Sequence, residues 1–264
     1  MSSLTETAYA KLNLALHVRG KRADGYHAIE TIFAFCEDGD KLSGEAAMVL
    51  SLDVGGPFAN AVPPGEDNLI VLAARALRPD AAVRLRLVKH LPVAAGIGGG
   101  SADAAAAMRL MTKLWALPAL RAAQVAPSLG ADVPACLLSQ SCRGDGAGDR
   151  VEPIELGLSG VAVLLANPGL PLSTKAVFER WDGIDRGPLG DWREGRNDLE
   201  PAAITLVPEI ATVLEWLRGQ PGADFVRMSG SGATCFALFA DEASRDVAAS
   251  EIPQRWWHLA TRLR

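Results

Sequence analysis

The sequence predicts an α+β fold built from two halves, and three observations support this prediction. The chain has 264 residues, which is long for one core and comfortable for two domains. Apolar residues make up 49% of the chain, so it has enough apolar side chains to form a buried core. Segments typical of strands and helices are mixed without a strict strand–helix–strand rhythm, which favours α+β over a doubly wound sheet. We place the boundary between domains 1–153 and 154–264.

The elements of the first half follow from their hydrophobic patterns. TAYAKLNLALHV alternates between apolar and mixed positions, which predicts a strand with one apolar face. GEDNLIVLAARAL predicts a helix with Asp67 or Asn68 as its N-cap. VRLRLVKH predicts a second strand, and a glycine-rich loop separates it from a helix that we expect to start at Ser101. GADVPACLL predicts a turn that opens another short helix.

The second half alternates between the two kinds of element. GVAVLLANPG predicts a buried strand that ends at Asn-Pro-Gly, and PEIATVLEWLRGQPG predicts a helix that ends at Gly219. FVRMSGSGATCFALF predicts two strands joined by a glycine turn. Between them, residues 181–195 are glycine-rich and irregular, which predicts a surface loop.

Composition narrows the class of protein. The net charge of −5 argues against a nucleic-acid or membrane-surface protein. The four cysteines form no CxxC pair, which indicates reduced thiols and not a disulfide frame or zinc site. No signal peptide is evident, and no apolar stretch approaches the roughly 18 residues of a membrane span. We therefore expect a cytoplasmic protein that binds small molecules.

The segment PVAAGIGGGSADAA (residues 92–105) is the first candidate site. The order strand, glycine loop, helix brings bare N–H groups and the positive end of a helix dipole to one spot, where they can bind phosphate. Ser101 can cap the helix or turn its hydroxyl to a phosphate or its metal. A flexible loop, or a close contact between helix and sheet, would use the same glycines, so the loop by itself leaves both interpretations open. The loop lacks the lysine of a Walker A motif, and its glycines are out of register for GxGxxG.

This segment closely resembles the phosphate loop of the GHMP small-molecule kinases, Pro-x-x-x-Gly-Leu-Gly followed by small residues and serine. AKLNLALHVRGKRADGYHAIETIF (residues 10–33) resembles the N-terminal signature of the branch that phosphorylates CDP-methylerythritol. MSGSGATCFALF is similar to the third glycine motif of the family, and LGADVPACL and NPGLPLSTKAVF also match the branch. The resemblance is thin over residues 41–64 and 182–195 and after residue 241.

The resemblance implies a two-lobed kinase with an N-terminal nucleotide-binding lobe and a C-terminal ferredoxin-like lobe. It implies ATP and CDP-methylerythritol as substrates, with transfer to the 2-hydroxyl in the non-mevalonate isoprenoid pathway. Mg²⁺ would bridge the ATP phosphates, with no dedicated metal site in the protein. A monomer or weak homodimer is expected. Two alternatives stay open: another GHMP kinase of the homoserine or mevalonate type, and a non-catalytic nucleotide-sensing member of the family.

The resemblance assigns catalysis to Lys11 and Asp132. Lys11 would lie beside the hydroxyl that is phosphorylated, where a fixed ammonium favours ionised forms nearby. Asp132 would accept or orient the proton of that hydroxyl. Each residue also has a plain structural interpretation. The strand face of Lys11 is compatible with ordinary solvation, and Asp132 before Val-Pro is a typical N-cap.

The resemblance also assigns the binding residues. Tyr26 and Phe178 would stack on the two sides of cytosine, and His27 would form hydrogen bonds with the edge of the base. A turn followed by a buried aromatic residue is the alternative for Tyr26 and His27. Asn13 and Thr174 complete the substrate set. The nucleotide set is Asn68, Lys89, Pro92, Val93, Ala94, Ala95, Gly96, Ile97, Gly98, Gly99, Gly100, Ser101 and Ala102.

Four positions of the loop depart from the family pattern. Ala94 and Ala95 stand where many relatives carry glycine, and alanine adopts positive φ less readily. Ile97 replaces leucine, and Ala102 replaces a second serine, which removes a hydroxyl near the phosphates. We expect these changes to affect nucleotide affinity and not catalysis.

Overall fold

The structure is a computed structural model that describes residues 3–264, and these residues form two compact units. The described part of the first unit comprises residues 3–10, 38–93 and 98–139. The second unit comprises residues 11–37, 94–97 and 140–264. These units are a different division from domains 1–153 and 154–264, because the first two strands contribute residues to both units. The predicted boundary stays a prediction.

The described residues contain strands and helices throughout, as an α+β fold requires. In chain order they are β1 (Leu4–Lys21), β2 (His27–Ala46), β3 (Ser51–Gly55), α1 (Leu69–Leu77), β4 (Val83–Val88), α2 (Gly99–Leu114), α3 (Ala119–Leu129), α4 (Val133–Leu138), β5 (Cys142–Gly146), β6 (Arg150–Pro153), β7 (Ala162–Asn167), α5 (Thr174–Arg180), α6 (Glu200–Leu206), α7 (Glu209–Arg218), β8 (Ala223–Met228), β9 (Cys235–Phe239), α8 (Glu242–Glu251) and β10 (Trp257–Arg262). Within residues 3–264, no helix is long and apolar enough to cross a bilayer.

The first unit combines a small sheet with four helices. β4 pairs parallel with β3 and antiparallel with residues 41–46 of β2. α2 packs against α1, α3 and α4, and the alanines at 104–107 are fully buried, so the neighbouring helices approach closely. Asn68 caps α1, because its side chain accepts the N–H of Ile70 at 2.9 Å. Of the two predicted cap residues, Asn68 is therefore the correct one.

The start of α2 differs from the prediction by two residues. Gly98, at φ +66°, precedes the helix, which begins at Gly99. Glycine adopts this left-handed conformation without steric cost, so the chain turns into the helix before it reaches the serine. Ser101 is the third helical residue, and the predicted cap at Ser101 is wrong.

The second unit contains a four-stranded antiparallel sheet in the order β10-β7-β9-β8. α7 packs on β8 and β9, and α8 packs on β7 and β10. Every residue of β7 is buried, because this strand lies inside the sheet and under helices. In the same unit, β5 pairs with residues 29–33 of β2 and with β6. The buried strand, the helix that ends at Gly219 and the glycine turn between β8 and β9 are confirmed.

The segment 181–195 forms no helix or strand, as predicted, but it is not a loosely attached surface loop. Leu189 is 4% exposed, and its N–H donates to the Glu30 carboxylate at 2.6 Å. The Arg227 guanidinium donates to two carbonyls of the segment, those of Trp192 and Gly195. Partly buried side chains from β2 and β8 therefore attach the segment to the rest of the second unit.

Candidate active site

The polar pair on β1 is buried. Lys11 is 3% exposed and Asn13 is 2% exposed, so the interpretation of their strand face as an ordinary solvated face is wrong. The Lys11 ammonium donates to Oδ1 of Asn13 at 2.7 Å and lies 5.2 Å from the centroid of the Phe33 ring. Burying an ammonium costs free energy unless polar and aromatic groups compensate it. These contacts give Lys11 a fixed position in the second unit.

A chain of hydrogen bonds orients the amide of Asn13. Its Nδ2 donates to Oγ1 of Thr31 at 2.8 Å, and that hydroxyl donates to the carbonyl of Ala15 at 2.6 Å. Because the Thr31 hydroxyl donates its only proton to Ala15, it can only accept from Asn13. The NH₂ group of Asn13 therefore faces Thr31, and its Oδ1 faces the Lys11 ammonium. Thr31 was not among the predicted site residues. The signal for it is a lone hydroxyl within the apolar stretch IETIFAF of β2.

The turn between β8 and β9 packs against the glycine loop within the second unit. Gly96 has φ +77°, and a Cβ there would lie 2.4 Å from the carbonyl oxygen of Ser229. Gly230 has φ +56°, and a Cβ there would lie 2.9 Å from the carbonyl oxygen of Gly96. Both the backbone conformation and the close approach therefore require glycine. The third glycine motif shapes residues 94–97 of the loop.

Ser229 is the centre of this contact and is fully buried. Its hydroxyl donates to the carbonyl of Gly96 at 2.9 Å and accepts the N–H of Asn13 at 3.1 Å. The N–H of Lys11 also donates to the carbonyl of Ile97, at 3.0 Å. One hydroxyl thus joins the loop to the strand that carries the polar pair. We call Ser229, Gly96, Ile97, Lys11 and Asn13 the loop anchor.

The departure from the family pattern at Ala94 has a structural consequence. Ala94 has φ +54°, a left-handed conformation that alanine adopts at a steric cost. Ala95 is 5% exposed and accepts the N–H of Thr234 at 3.1 Å through its carbonyl. The loop therefore keeps its conformation by long-range hydrogen bonds in spite of the alanine.

In the first unit, the N-terminus of α2 presents backbone donors. The N–H of Ala102 donates to the carbonyl of Gly98 at 2.7 Å and forms the first bond of the helix. The N–H groups of Gly99, Gly100 and Ser101 precede that bond and have no partner inside the helix. Together with the helix dipole they form an arrangement suited to an anion.

Lys89 lies beneath this helix start and not on the surface. It is 1% exposed, and its ammonium lies 2.7 Å from Asp40 and 2.5 Å from Asp103. Burial raises the pKa of Asp103 to about 8, although Lys89 opposes the shift. A Cβ on Gly99 would lie 3.1 Å from the Lys89 ammonium. Lys89 therefore supports the backbone of the loop, and its predicted nucleotide contact stays a prediction.

The amide of Asn68 is also used within the first unit. Besides capping α1, it donates through Nδ2 to the carbonyl of Pro63 at 2.8 Å, and the residue is 5% exposed. Both polar atoms thus have protein partners, and its predicted nucleotide contact likewise stays a prediction.

Asp132 occupies the N-cap position of α4, and Pro134 follows in the first turn. Its carbonyl accepts the N–H of Cys136 at 3.0 Å, but its carboxylate makes no capping hydrogen bond with the helix. The purely capping interpretation of this side chain is therefore wrong. The helix fixes the backbone of Asp132, and the role of its carboxylate is not that of a cap.

Three rings of the second unit form a cluster, which we call the ring cluster: His27, Phe178 and Trp181. His27 stacks on Phe178 with centroids 4.8 Å apart and planes 26° apart. Trp181 meets His27 edge to face at 5.7 Å. Tyr26 is 62% exposed, and the ring that contacts Phe178 is His27. The predicted sandwich of a base between Tyr26 and Phe178 stays a prediction.

His27 is neutral at neutral pH. Burial lowers its pKa, and the positive charge of Lys21 lowers it further.

A hydrogen bond links the start of α5 to the glycine turn between β8 and β9, because the hydroxyls of Thr174 and Ser231 lie 2.9 Å apart. The ring cluster and the third glycine motif are therefore connected through α5.

Comparison with known proteins places the chain in a family. Residues 68–140 match the GHMP kinases N terminal domain, and residues 180–258 match the GHMP kinases C terminal domain. The chain belongs to the GHMP kinase family. The predicted fold class, a two-lobed α+β GHMP kinase fold, is thereby confirmed.

Similar proteins narrow the branch of GHMP kinases. The chain is 51% identical to a 4-diphosphocytidyl-2-C-methyl-D-erythritol kinase of Novosphingobium aromaticivorans, over 99% of this chain and 93% of that protein. It is 53% identical to a kinase of the same name from Rhizorhabdus wittichii, over 98% of this chain and 94% of that protein. A crystal structure of 4-(cytidine 5'-diphospho)-2C-methyl-D-erythritol kinase superposes with a TM-score of 0.83 at 32% identity, covering 98% of this chain and 99% of that one.

The structure adds four residues to the candidate site of this GHMP kinase that the sequence motifs did not identify. Thr31 and Ser229 orient Asn13, and Asp40 and Asp103 hold Lys89. Ser229 lies inside the third glycine motif, so the motif pointed to the right turn without indicating which atom acts. Asp40 and Asp103 carry no signal in the sequence, because pairing with a buried lysine depends on tertiary contacts.

Proposed function

We propose that this chain transfers the γ-phosphoryl group of ATP to the 2-hydroxyl of 4-diphosphocytidyl-2-C-methyl-D-erythritol (CDP-methylerythritol). The observation that carries this proposal is the near full-length identity of 51% and 53% to kinases of that name. The substrate named for those kinases contains a cytidine, and the ring cluster of the second unit suits a planar base. Homoserine and mevalonate contain no base to stack, which disfavours both as substrates.

The α2 N-terminus and the glycine loop would bind the triphosphate of ATP. The unpaired N–H groups of Gly99 and Gly100 donate to phosphate oxygens, and the helix dipole favours their negative charge. Glycine at these positions keeps side chains away from the ligand. The loop anchor supports this role, because it fixes residues 94–97 before ATP binds.

An oxygen atom of the chain would also serve as a ligand to the Mg²⁺ that accompanies ATP. Mg²⁺ prefers oxygen ligands, and the Ser101 hydroxyl forms no hydrogen bond with the residues at 3–264. Within that range, no three His, Cys, Asp or Glu side chains group together, so most ligands would come from phosphate and water. When bound, the ion neutralises part of the charge of the phosphates.

Asp132 and Lys11 would act on the acceptor hydroxyl. The carboxylate of Asp132 accepts the proton of the 2-hydroxyl, whose oxygen bonds to the γ-phosphorus while the bond to ADP breaks. The ammonium of Lys11 stabilises the negative charge that develops on the oxygen. Its hydrogen bond to Asn13 keeps the ammonium directed before substrate arrives.

Base recognition would use the ring cluster together with Tyr26. Phe178 offers a planar apolar face, and His27 offers one donor and one acceptor because it is neutral. Stacking of a base on an aromatic ring contributes about 1–3 kcal/mol and tolerates any base. Discrimination between bases must therefore come from hydrogen bonds.

A reducing compartment fits the cysteines. Cys36, Cys136, Cys142 and Cys235 are buried and form no disulfide with one another, and burial raises the pKa of Cys142 to about 12. Such thiols are inert and need no disulfide partner. We accordingly propose that the enzyme acts in the cytoplasm.

A coupled ADP-release assay tests the proposal. The purified chain is offered ATP with CDP-methylerythritol, homoserine or mevalonate in separate reactions. We expect ADP release at least tenfold faster with CDP-methylerythritol than with either other acceptor. Equal or faster turnover of homoserine or mevalonate would assign the chain to another type of GHMP kinase. Binding of ATP with no turnover of any acceptor would indicate a nucleotide sensor.

A further inference from the structure

Asn197 carries a buried amide to which the proposed reaction gives no role. It is 6% exposed and follows the segment 181–195, just before α6. Its Oδ1 accepts the N–H of Leu199 at 3.0 Å, and its Nδ2 donates to the carbonyls of Met228 and Gly230, each at 2.8 Å. A backbone N–H can only donate and a carbonyl can only accept, so these three partners fix the orientation of the amide.

The two carbonyls that Asn197 holds lie on either side of Ser229, the centre of the loop anchor. The Ser229 hydroxyl accepts the N–H of Asn13 at 3.1 Å. The turn around it contains Gly230 at φ +56° and Gly232 at φ +83°, and glycine restrains its own backbone less than any other residue. The two hydrogen bonds from Asn197 therefore add a restraint at the peptide groups next to Ser229.

The same turn lies against the amide that holds Lys11. A Cβ on Gly230 would lie 3.1 Å from Oδ1 of Asn13, and this oxygen accepts the Lys11 ammonium at 2.7 Å. The carbonyl of Gly230 is in turn held by Asn197. Only the backbone of Gly230 thus separates the Asn197 amide from Asn13, so a shift of this backbone moves the acceptor of the ammonium.

The backbone around Asn197 is attached to β1. The N–H of Leu16 donates to the carbonyl of Arg196 at 2.8 Å, and the N–H of Asp198 donates to the carbonyl of Leu16 at 2.9 Å. The Asp198 carboxylate also accepts the N–H of Val18 at 2.8 Å. Asn197 therefore joins two parts of the second unit, because its backbone is paired with β1 and its side chain with the glycine turn.

We propose that Asn197 is a positioning residue for phosphoryl transfer. Its amide fixes the peptide groups on both sides of Ser229, and in this conformation the turn holds Asn13 against the Lys11 ammonium. This inference rests on the proposed function, because the role of Lys11 in stabilising charge on the acceptor oxygen belongs to that function. Misplacing a catalytic group by about 1 Å can cost on the order of 10²-fold in rate, so a contact outside the reacting groups can control turnover.

The test compares Asn197→Asp with Asn167→Asp. Aspartate keeps the size of the side chain but cannot donate at neutral pH, so both bonds to the carbonyls of the turn are lost. Asn167 is the matched control: it is 4% exposed in the same unit, and its Oδ1 likewise accepts an N–H two residues on, that of Gly169. Its Nδ2 donates to the hydroxyl of Thr234, and a hydroxyl can turn to donate to the new carboxylate.

Steady-state kinetics with ATP and CDP-methylerythritol give the first readout. We expect kcat to fall about tenfold or more in Asn197→Asp. The KM for ATP should rise, because Ser229 also holds the carbonyl of Gly96. The KM for CDP-methylerythritol should stay near that of the wild type, since the base binds to the ring cluster. Asn167→Asp should keep all three constants. A role of Asn197 in stability alone would lower the melting temperature and leave the constants of the folded protein unchanged.

Amide hydrogen exchange gives a readout that needs no activity. The N–H of Asn13 donates to Ser229, so it should exchange about tenfold faster or more in Asn197→Asp and at the wild-type rate in Asn167→Asp. If Asn197→Asp does not fold, Asn197→Ser replaces it with the same expected directions, because serine is uncharged and keeps one donor.

Two results would overturn the proposal. One is a folded variant of Asn197 with wild-type kcat and wild-type exchange at Asn13. The other is an equal loss of kcat in Asn197→Asp and Asn167→Asp, which would show a general effect of altering a buried amide. If the wild type does not phosphorylate CDP-methylerythritol, the proposed function fails, and the exchange at Asn13 still decides whether Asn197 positions that residue.

Discussion

The loop anchor and the ring cluster lie in the same unit and are held in different ways. In the loop anchor, Asn13 and Ser229 are buried, and their polar atoms are paired through bonds that join distant parts of the chain. In the ring cluster, His27 and Phe178 are half-buried and meet through ring faces, and the Trp181 N–H is unpaired. The polar atoms of Asn13 and Ser229 are thus paired within the protein, whereas the ring cluster contains a polar group without a partner among the described residues. A loop that binds the negatively charged triphosphate needs a fixed backbone, whereas a pocket that binds a base needs polar groups that can still form hydrogen bonds with that base.

Asp132→Asn tests the catalytic step by itself, because Asp132 belongs neither to the loop anchor nor to the ring cluster. Asp132→Asn keeps the size of the side chain and removes the base, so turnover should fall on the order of 10²-fold or more. The affinities for ATP and CDP-methylerythritol should stay near those of the wild type. Steady-state kinetics and calorimetry measure these quantities. Asp241→Asn is the matched control, since Asp241 caps α8 through its side chain. Near-normal turnover in Asp132→Asn would contradict the catalytic assignment.

Gly96→Ala tests whether the loop anchor depends on backbone contact. The new Cβ would meet the carbonyl of Ser229 at 2.4 Å in a left-handed conformation. We expect a loss of about 2–4 kcal/mol in the free energy of unfolding, together with weaker ATP binding.

Gly157→Ala is its control. Gly157 has φ +65° with no atom within 4 Å of the added Cβ, so it reports backbone strain alone. It should cost about 1–2 kcal/mol and leave ATP affinity unchanged. Denaturant unfolding and nucleotide calorimetry on both variants give the comparison. Equal effects of the two substitutions would show that packing against the third glycine motif is unimportant.

Phe178→Leu tests the ring cluster in the same manner. Leucine keeps apolar bulk but removes the aromatic face, so CDP-methylerythritol should bind more weakly by about 1–3 kcal/mol. ATP affinity should hardly change. Phe225→Leu, which alters a half-buried ring beside Trp192, is the control and should leave both affinities unchanged. If Phe178→Leu instead lowers the melting temperature and binds substrate normally, Phe178 serves packing only.

The smallest effect concerns His17, further along β1. Its Nδ1 lies 3.1 Å from the carbonyl of Gly187, so Nδ1 carries the proton, and Nε2 accepts the N–H of Arg196 at 3.3 Å. Burial lowers its pKa below the ordinary 6.5, although the Gly187 carbonyl opposes the shift. The unfolded chain therefore takes up a proton before the folded one does, and stability present above about pH 6.5 is lost as the pH falls.

His17→Gln removes this titration while keeping a donor and an acceptor. The difference in melting temperature between the wild type and His17→Gln should shrink from pH 7.5 to pH 5.5. A difference that is constant over this range would show that His17 does not titrate on unfolding.

Much of the fold could be read from the sequence alone, because local patterns carry it. The cap at Asn68, the end of α7 at Gly219 and the buried strand β7 follow from propensities and hydrophobic runs that act over a few residues. The glycine motifs marked the loop and the turn, and the resemblance that they carry named the family. These signals are local, so neighbours in sequence suffice to recognise them.

Contacts between distant residues were decided by the tertiary structure only. Ser229 lies 216 positions from Asn13, and nothing near either residue in the chain indicates their hydrogen bond. Lys89 was singled out by the family resemblance alone, and only the structure shows that it is buried between the carboxylates of Asp40 and Asp103. Trp181 was predicted to begin a surface loop, whereas in the structure it packs against His27 and the core of the second unit. The sequence determines which residue types are present and what they favour locally. Burial and pairing, which set whether a charge is exposed or compensated, arise only when the chain has folded.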